Sequence, residues 1–241
     1  MIDLRNTLFV YINLDHCIDR KEYMESMLSS MKLNYVRFSA IKPTRESLIE
    51  GDYNSFYDRS VKWLKLYLNS DEPKFNKLSL GTFGCYLSHY FILKKYSSSY
   101  SSIIILEDDV KFNIPNLKKF FRIASNVKCD DIDLCRPLYG GLEDNDFLSE
   151  ISSSIYEFNY PYKHSIFVEN LKGHNYFGAT HFVYYHNINR VLDFLDSERV
   201  FNIDAIFSTN YLNSFLLSSC MIYQNRTKFE SDIGSFNSLK N

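Results

Sequence analysis

Three consecutive carboxylates follow a run of apolar residues in the segment SIIILEDDV, residues 102–110. The apolar run through Leu106 is typical of a buried strand, so Glu107, Asp108 and Asp109 lie where that strand should end. Adjacent carboxylates raise one another's pKa unless a cation relieves the repulsion. In an extended chain Glu107 and Asp109 project to one side, and Asp108 projects to the other. This spacing predicts a site for Mg²⁺ or Mn²⁺ with Glu107 and Asp109 as metal ligands.

Other interpretations of the same triplet stay open. Acidic clusters of this kind are often solvated turns or helix N-termini. Paired carboxylates also serve glycoside hydrolases, whose chemistry depends on a carboxylate separation that the sequence does not supply. The chain has no G-x-x-x-x-G-K-[ST] phosphate loop, which disfavours a P-loop phosphotransferase. A cation at a strand end would suit a nucleoside diphosphate sugar, because it neutralises the diphosphate leaving group.

The elements that would position this triplet follow an α/β pattern. Residues 7–14 predict a central strand, a helix with Asp19 as its N-cap and Glu22 completing a capping box follows, and residues 35–39 predict a second strand. Strand, helix and strand in close succession favour a mostly parallel sheet flanked by helices, with ligands at the carboxyl ends of the strands. Further helices are predicted at 85–96, 115–124, 187–195 and 205–213, and further strands at 132–135, 179–185 and 220–223.

The composition is that of a globular protein, and the lack of internal repeats and of a linker in the sequence predicts one domain over residues 1–241. Its hydrophobic content is 45% and its net charge is −2, which gives no electrostatic footprint for nucleic acid. No apolar run approaches the roughly 20 residues that cross a bilayer, and the N-terminus lacks a signal-peptide pattern. Five scattered cysteines without a C-x-x-C pair indicate reduced thiols. We therefore expect a cytoplasmic protein with at most peripheral contact to the inner face of the cell membrane.

Several segments, taken in order, resemble the motifs of glycosyltransferase family 25. YINLDHCIDRKEYM (11–24), GTFGCYLSHYFILK (81–94) and IIILEDDV (103–110) are similar to its three N-terminal motifs. FGATHFVYYHNINRVLDFL (177–195), the NID of 202–204, and Gln224 with the SDI of 231–233 resemble its later ones. The family includes bacterial lipooligosaccharide galactosyltransferases and the collagen hydroxylysine galactosyltransferase domain. The resemblance implies a GT-A-like, Rossmann-type fold, a nucleotide-sugar donor that is most often UDP-galactose, a divalent metal ion and inversion at the anomeric carbon.

The resemblance also implies roles for individual residues. Arg20, near the first turn of a helix, would add a phosphate partner to an anion-favouring helix terminus. Ser88 and His89 would contact the nucleotide or hold the loop before the triplet, although a buried structural histidine fits equally well. Gln224 would join Glu107 and Asp109 at the metal or would end a strand in solvent. The donor-binding set is Asn13, Leu14, Asp15, Arg20, Gly84, Ser88, His89, Asp108 and Gly178.

An inverting transfer needs a base that takes the proton of the acceptor hydroxyl. Asp204 matches a family acid and is our candidate, with a helix N-cap as the competing interpretation; Asp232 is the second candidate. Residues 139–176 match no motif of the family and predict a loop-rich region on the acceptor side. Their aromatic residues either stack on sugar rings or belong to an ordinary core.

The sequence therefore predicts a metal-dependent inverting transferase that moves a hexose, galactose in the first instance, onto a glycan or glycolipid acceptor such as lipooligosaccharide or lipopolysaccharide. Transfer of glucose or N-acetylglucosamine, or transfer to a collagen-like protein, are the nearest alternatives. A non-catalytic carbohydrate-binding protein is a more distant alternative that the complete acidic triplet disfavours. A metal-dependent glycoside hydrolase is a further alternative, and it would need no nucleotide donor.

Overall fold

A computed structural model describes the following parts of the chain: residues 6–44, 46–47, 73–126, 133–137, 155–157, 166–169, 181–197, 203, 206, 211–217, 222–225 and 228–229. Three predicted site residues, Gly178, Asp204 and Asp232, lie outside the described residues. The same holds for most of the predicted acceptor region 139–176.

The described residues form helices and strands that alternate along the first half of the chain. The helices are α1 (Ile18–Ser30), α2 (Pro73–Tyr96), α3 (Ile114–Asn126) and α4 (Ile188–Ser197). The strands are β1 (Thr7–Asn13), β2 (Tyr35–Ser39), β3 (Ser102–Glu107), β4 (Val110–Lys111), β5 (Leu134–Pro137), β6 (Ile155–Glu157), β7 (Ile166–Glu169), β8 (Phe182–Tyr185), β9 (Ser214–Leu217) and β10 (Tyr223–Gln224).

Within the described parts, the strands form an eight-stranded sheet in the order β2-β1-β3-β8-β5-β9-β7-β6, and β4 pairs with β10 in a separate ribbon. Strand β1 is parallel to both β2 and β3, and β5 is parallel to β9. Strands β7 and β8 pair antiparallel with their neighbours. Most strands therefore run in one direction, and the α/β, GT-A-like architecture predicted from the sequence is confirmed.

Both faces of β1 and β3 are buried, which explains why the interior positions of these two strands are apolar. In β1, Leu8 and Val10 pack into a core with α2 and α4, whereas Phe9 and Tyr11 pack into a second core with α1 and α3. The two cores lie on opposite faces because successive side chains of a strand alternate. The same alternation places the side chain of Asn13 on the face that α1 covers.

Three local predictions differ from the structure. Helix α1 begins at Ile18, and its N-cap is Cys17, which makes no side-chain capping bond; Asp19 therefore lies in the first turn, and its predicted capping box is wrong. Helix α2 begins at Pro73 and passes through both glycines of GTFG instead of starting after them. Residues 211–213 are not helical and lead directly into β9, so the end of the helix predicted at 205–213 is wrong.

Candidate functional site

The carboxyl ends of β1, β2 and β3 meet at one edge of the sheet. Asn13 is the register partner of Ser39 in β2, and Ile12 is the register partner of Glu107 in β3. The acidic triplet therefore lies beside the loop that follows β1, as the βαβ pattern of the sequence predicts. This edge is where open α/β sheets bind ligands.

Asp108 lies at the centre of this edge and is buried. Its Oδ1 accepts a hydrogen bond from Arg20 Nη1 at 2.9 Å, and its Oδ2 accepts one from Asn13 Nδ2 at 2.7 Å. Burial of both charged groups is tolerable because they form an ion pair with additional hydrogen bonds. The guanidinium of Arg20 also lies 5.4 Å from the ring centroid of Phe229. Asp108 therefore fixes the side chains of Arg20 and Asn13. These three predicted donor-binding residues form one cluster.

Glu107 and Asp109 flank that cluster and are held by the C-terminal part of the chain. Gln224 Nε2 donates to Glu107 Oε2 at 2.7 Å, and Gln224 pairs with Val110 through β10 and β4. The backbone N–H of Asn225 donates to the carbonyl of Asp109 at 2.6 Å. The structure thus brings two of the three predicted metal ligands into direct contact and holds the third in the adjoining turn.

The donor chemistry of these three side chains is that of a Mg²⁺ or Mn²⁺ site, with two carboxylates and one amide oxygen. Across the described ranges, no group of three or more His, Cys, Asp or Glu side chains is arranged to hold a metal ion. Such cations are commonly held by only one or two carboxylates and complete their coordination with substrate phosphates and water. The residues fit a metal that binds together with a diphosphate, and the metal itself stays a prediction.

Arg37 is a site residue that the sequence reasoning missed. Its Nη2 forms an ion pair with Asp15 Oδ1 at 2.6 Å, and its Nε donates to Asn13 Oδ1 at 3.0 Å. Ser39 Oγ donates to the same Asp15 oxygen at 2.8 Å. The hydrogen bond from Arg37 is the main cause that lowers the pKa of Asp15 below its ordinary value. The available signal was an arginine in the middle of the predicted strand YVRFS, whereas the interior positions of β1 and β3 are apolar.

Ser88 and Gly84 hold the segment that follows β2. Ser88 Oγ donates to the carbonyl of Gly84 at 2.7 Å and accepts from the backbone N–H of Ile41 at 2.9 Å. A Cβ on Gly84 would lie 2.8 Å from Pro43 Cδ and even closer to the carbonyl oxygen of Ile41. The contacts of both residues in this structure are therefore with the chain's own backbone, and donor binding by either stays a prediction.

His89 is a residue of α2 whose side chain lies between that helix and the sheet, on the face opposite to Arg20 and Asp108. It is fully buried, and its Nδ1 lies 2.7 Å from the hydroxyl oxygen of Tyr185. Burial lowers the pKa of His89 to about 3, so the imidazole is neutral at physiological pH. This environment matches the structural interpretation of the histidine that the sequence left open.

Leu14 connects β1 to Asp15, and its backbone carbonyl accepts from the N–H of Cys17 at 2.9 Å. This tight turn carries the chain from β1 into α1, whose first turn contains Arg20. In the described portion of the chain, no helix has the length and apolar character needed to cross a membrane.

Comparison with known proteins gives two matches. The sequence profile of glycosyltransferase family 25 (LPS biosynthesis protein) matches residues 6–197. The chain is also similar to procollagen galactosyltransferase 1-B from Xenopus laevis, with 27% identity over 132 residues that make up 52% of this chain and 19% of that protein. The match thus spans about a fifth of the relative's length. Asp204, Gln224 and Asp232 lie beyond the residues that the profile matches.

Proposed function

The chain belongs to glycosyltransferase family 25, and we propose that it is a metal-dependent inverting glycosyltransferase that moves galactose from UDP-galactose onto a glycan acceptor. The observation that carries the proposal is the cluster of Arg20, Asn13 and the acidic triplet at one edge of the sheet. A nucleoside diphosphate needs cations near its phosphates, and this edge offers a guanidinium beside carboxylates that can recruit a metal ion.

The proposed division of roles follows from the chemistry of each group. Arg20 is held by Asp108, and a guanidinium carries five N–H donors, so it can pair with a carboxylate and still meet a phosphate. Glu107, Asp109 and the amide oxygen of Gln224 would hold Mn²⁺ or Mg²⁺. When bound there, the cation would neutralise the diphosphate leaving group. Asn13, Leu14 and Asp15 would line the nucleotide pocket at the end of β1.

The transfer step needs a base on the acceptor side. We propose Asp204 for this role and Asp232 as the alternative. The base takes the proton of the acceptor hydroxyl, whose oxygen forms a bond to the anomeric carbon while the bond from that carbon to the diphosphate oxygen breaks. Attack from the face opposite to the leaving group inverts the anomeric configuration.

The family and the relative both support the choice of substrates. The family description names LPS biosynthesis, which supports a lipopolysaccharide or lipooligosaccharide acceptor. The name of the relative contains both galactosyltransferase and procollagen, which supports galactose as the sugar and keeps a collagen-like acceptor as the second candidate. Glucose and N-acetylglucosamine are the alternative sugars.

Thermal unfolding with nucleotides tests this proposal. UDP, GDP and CMP are each added with and without Mn²⁺, and we expect a rise in Tm with UDP that requires the metal, since a ligand at 100 times its Kd stabilises by about 2.7 kcal/mol. Release of UDP from UDP-galactose, UDP-glucose and UDP-N-acetylglucosamine then identifies the sugar. Absence of a shift with every nucleotide would exclude the proposed donor class.

The metal assignment is tested with Asp109→Asn, which keeps the shape of the side chain and removes its charge. We expect this variant to lose the Mn²⁺-dependent part of the shift and to retain its fold. Asp193, an exposed carboxylate on α4, provides the matched control, because Asp193→Asn makes the same chemical change away from the site. Equal metal dependence in both variants would show that Asp109 is not a ligand.

A further inference from the structure

Arg37 connects β2 to the loop that follows β1. Besides its ion pair with Asp15, its guanidinium donates to both the side-chain and the backbone oxygen of Asn13, at 3.0 and 3.3 Å. Its side chain is 26% exposed, so the guanidinium lies at the surface of the edge and not in a core. One cation therefore fixes the last residue of β1 and a residue of the loop that follows it, both of which we place at the nucleotide.

Asp15 is arranged to accept hydrogen bonds from outside the protein. Both bonds that it makes in the described part of the chain, from Arg37 and Ser39, go to Oδ1. The side chain is 74% exposed, and no described group donates to Oδ2. The carboxylate is therefore anchored through one oxygen and offers the other to a ligand.

The chemistry of Asp15 restricts what that ligand group is. An ionised carboxylate accepts hydrogen bonds only, and it repels a diphosphate, so its partner is a hydroxyl or an N–H. Strands β3, β1 and β2 lie side by side, and each step along the edge is about 4.8 Å. Asp15 and its anchors on β2 are thus about one to two strand spacings, 5–10 Å, from the acidic triplet of β3.

A ribose is attached to one end of the donor's diphosphate, and the transferred hexose is attached to the other. With the diphosphate beside Arg20 and the triplet, and the nucleotide pocket proposed at the end of β1, the nucleoside would extend toward β2 and the hexose toward β8 and Gln224. The hydroxyls that come within reach of Asp15 are then those of the ribose.

We infer that Arg37 is a positioning residue that orients Asp15 toward the ribose hydroxyls of the donor nucleotide. This inference rests on the proposed function, because it assumes that a nucleotide binds at this edge. Arg37 of β2 thereby has a role in donor binding. A contact between Asp15 and the ribose hydroxyls would make the enzyme selective for ribonucleotides over 2′-deoxyribonucleotides.

Equilibrium binding of UDP and 2′-deoxy-UDP to the full chain with Mn²⁺ tests the inference. We expect the unaltered protein to favour UDP roughly tenfold or more, as a hydrogen bond to a charged group implies. Arg37→Gln and Asp15→Asn should each bring the ratio of the two Kd values close to one, and the double variant should change it no further. Arg37→Lys keeps a positive charge but lacks the several N–H donors of the guanidinium, so we expect an intermediate ratio of the two Kd values. If Arg37→Gln does not fold, Arg37→Lys takes its place in the experiment.

Arg190 supplies the matched control. It also forms an ion pair, with Asp133 at 3.4 Å, and it also donates to a backbone oxygen, that of Tyr211, at 2.9 Å. Asp133 directly precedes β5, so this pair lies at the opposite edge of the sheet. We expect Arg190→Gln to lower Tm and to leave the UDP to 2′-deoxy-UDP ratio unchanged.

The outcomes separate the inference from the proposed function. If the unaltered protein discriminates between the nucleotides and Arg37→Gln discriminates equally, the inference is overturned and the proposed function stands. If Asp15→Asn weakens UDP-galactose and not UDP, the carboxylate binds the hexose, which overturns the ribose assignment. If the unaltered protein binds no nucleotide, both fail.

Discussion

At the scale of single residues, Asn13 connects the two charged groups of the site. Its Nδ2 donates to Asp108 Oδ2 and to the carbonyl of Cys17, and its Oδ1 accepts from Arg37. A neutral amide is suited to this place because it donates toward a carboxylate on one side and accepts from a guanidinium on the other. An aspartate would present an acceptor to Asp108 and would bury a second negative charge beside it. The position of Arg20 therefore depends on a residue that carries no charge.

His89 shows how a residue near the site contributes to stability without touching the site. Its Nε2 has no hydrogen-bond partner among the described residues, and protonation would bury a charge beneath α2. The folded protein therefore keeps His89 neutral down to a pH of about 3, whereas an unfolded histidine takes up a proton near pH 6.5. Stability is then fully present above pH 6.5 and falls as the pH decreases toward 3, because the unfolded state binds the proton first.

The pH dependence of unfolding checks this. Between pH 7.5 and pH 5.5 the unaltered protein should lose about 1.4 kcal/mol more of its free energy of unfolding than His89→Asn, because only the imidazole titrates in this range. Asparagine can still bond with the hydroxyl of Tyr185, which makes it a conservative replacement. Urea unfolding at the two pH values measures the difference. Parallel pH dependence of the two proteins would contradict the role of His89.

At the scale of elements, local patterns predicted those parts of the fold that depend on neighbours in sequence. Strand β2 has the predicted limits, and β1 ends one residue earlier than predicted. Helix α2 was predicted too short, because glycines normally end helices, whereas here tertiary contacts hold the backbone in helical form. Strand β9 was not predicted, since the segment SFLL becomes a strand by pairing with β5 and β7, which are distant in sequence.

In the site too, features that depend on neighbours in sequence were predictable from local patterns, and contacts between distant residues were not. The acidic triplet at the end of β3 was predictable, because an apolar run that stops at charges is a local signal. The contact of Arg37 with Asp15 was not, because it depends on the register of β2 against β1, in which Arg37 lies opposite Tyr11. No local pattern places Gln224 beside Glu107; the family resemblance suggested it, and in the structure the pairing of β10 with β4 brings the two side chains together.

Gly84 tests whether close packing determines the position of α2. Alanine is favoured over glycine in a helix interior by about 1 kcal/mol, yet a Cβ here would meet Ile41 and Pro43. We expect Gly84→Ala to reduce the free energy of unfolding by about 1–3 kcal/mol, since overpacking costs that much. Gly81→Ala in the same helix measures what alanine gains there, and the difference between the two variants isolates the contact. A Gly84→Ala protein at least as stable as Gly81→Ala would contradict this account.

At the scale of the whole molecule, residues from late in the sequence pack against α1. The ring of Phe229 packs edge-on against Tyr23 of α1 at a centroid distance of 5.3 Å, and Tyr23 donates to the carbonyl of Val110 at 3.2 Å. Lys228 lies 4.7 Å from the ring centroid of Tyr23. Helix α1, the turn at the triplet and the described residues 222–225 and 228–229 therefore form one packed unit around Arg20. Its stability depends on contacts between residues that are about 200 positions apart in the sequence.

Phe229→Ala tests this packing. Phe229 is 5% exposed, so its truncation should reduce the free energy of unfolding by about 3 kcal/mol through lost burial and a cavity. Because the ring also packs on Arg20, nucleotide affinity should fall together with stability. Tyr211, which is 64% exposed, is the aromatic control, and Tyr211→Ala should cost less than about 1 kcal/mol and leave affinity unchanged. Urea unfolding and UDP binding with Mn²⁺ measure both quantities; a Phe229→Ala protein that loses stability but binds UDP normally would show that the packing supports the fold and not the site.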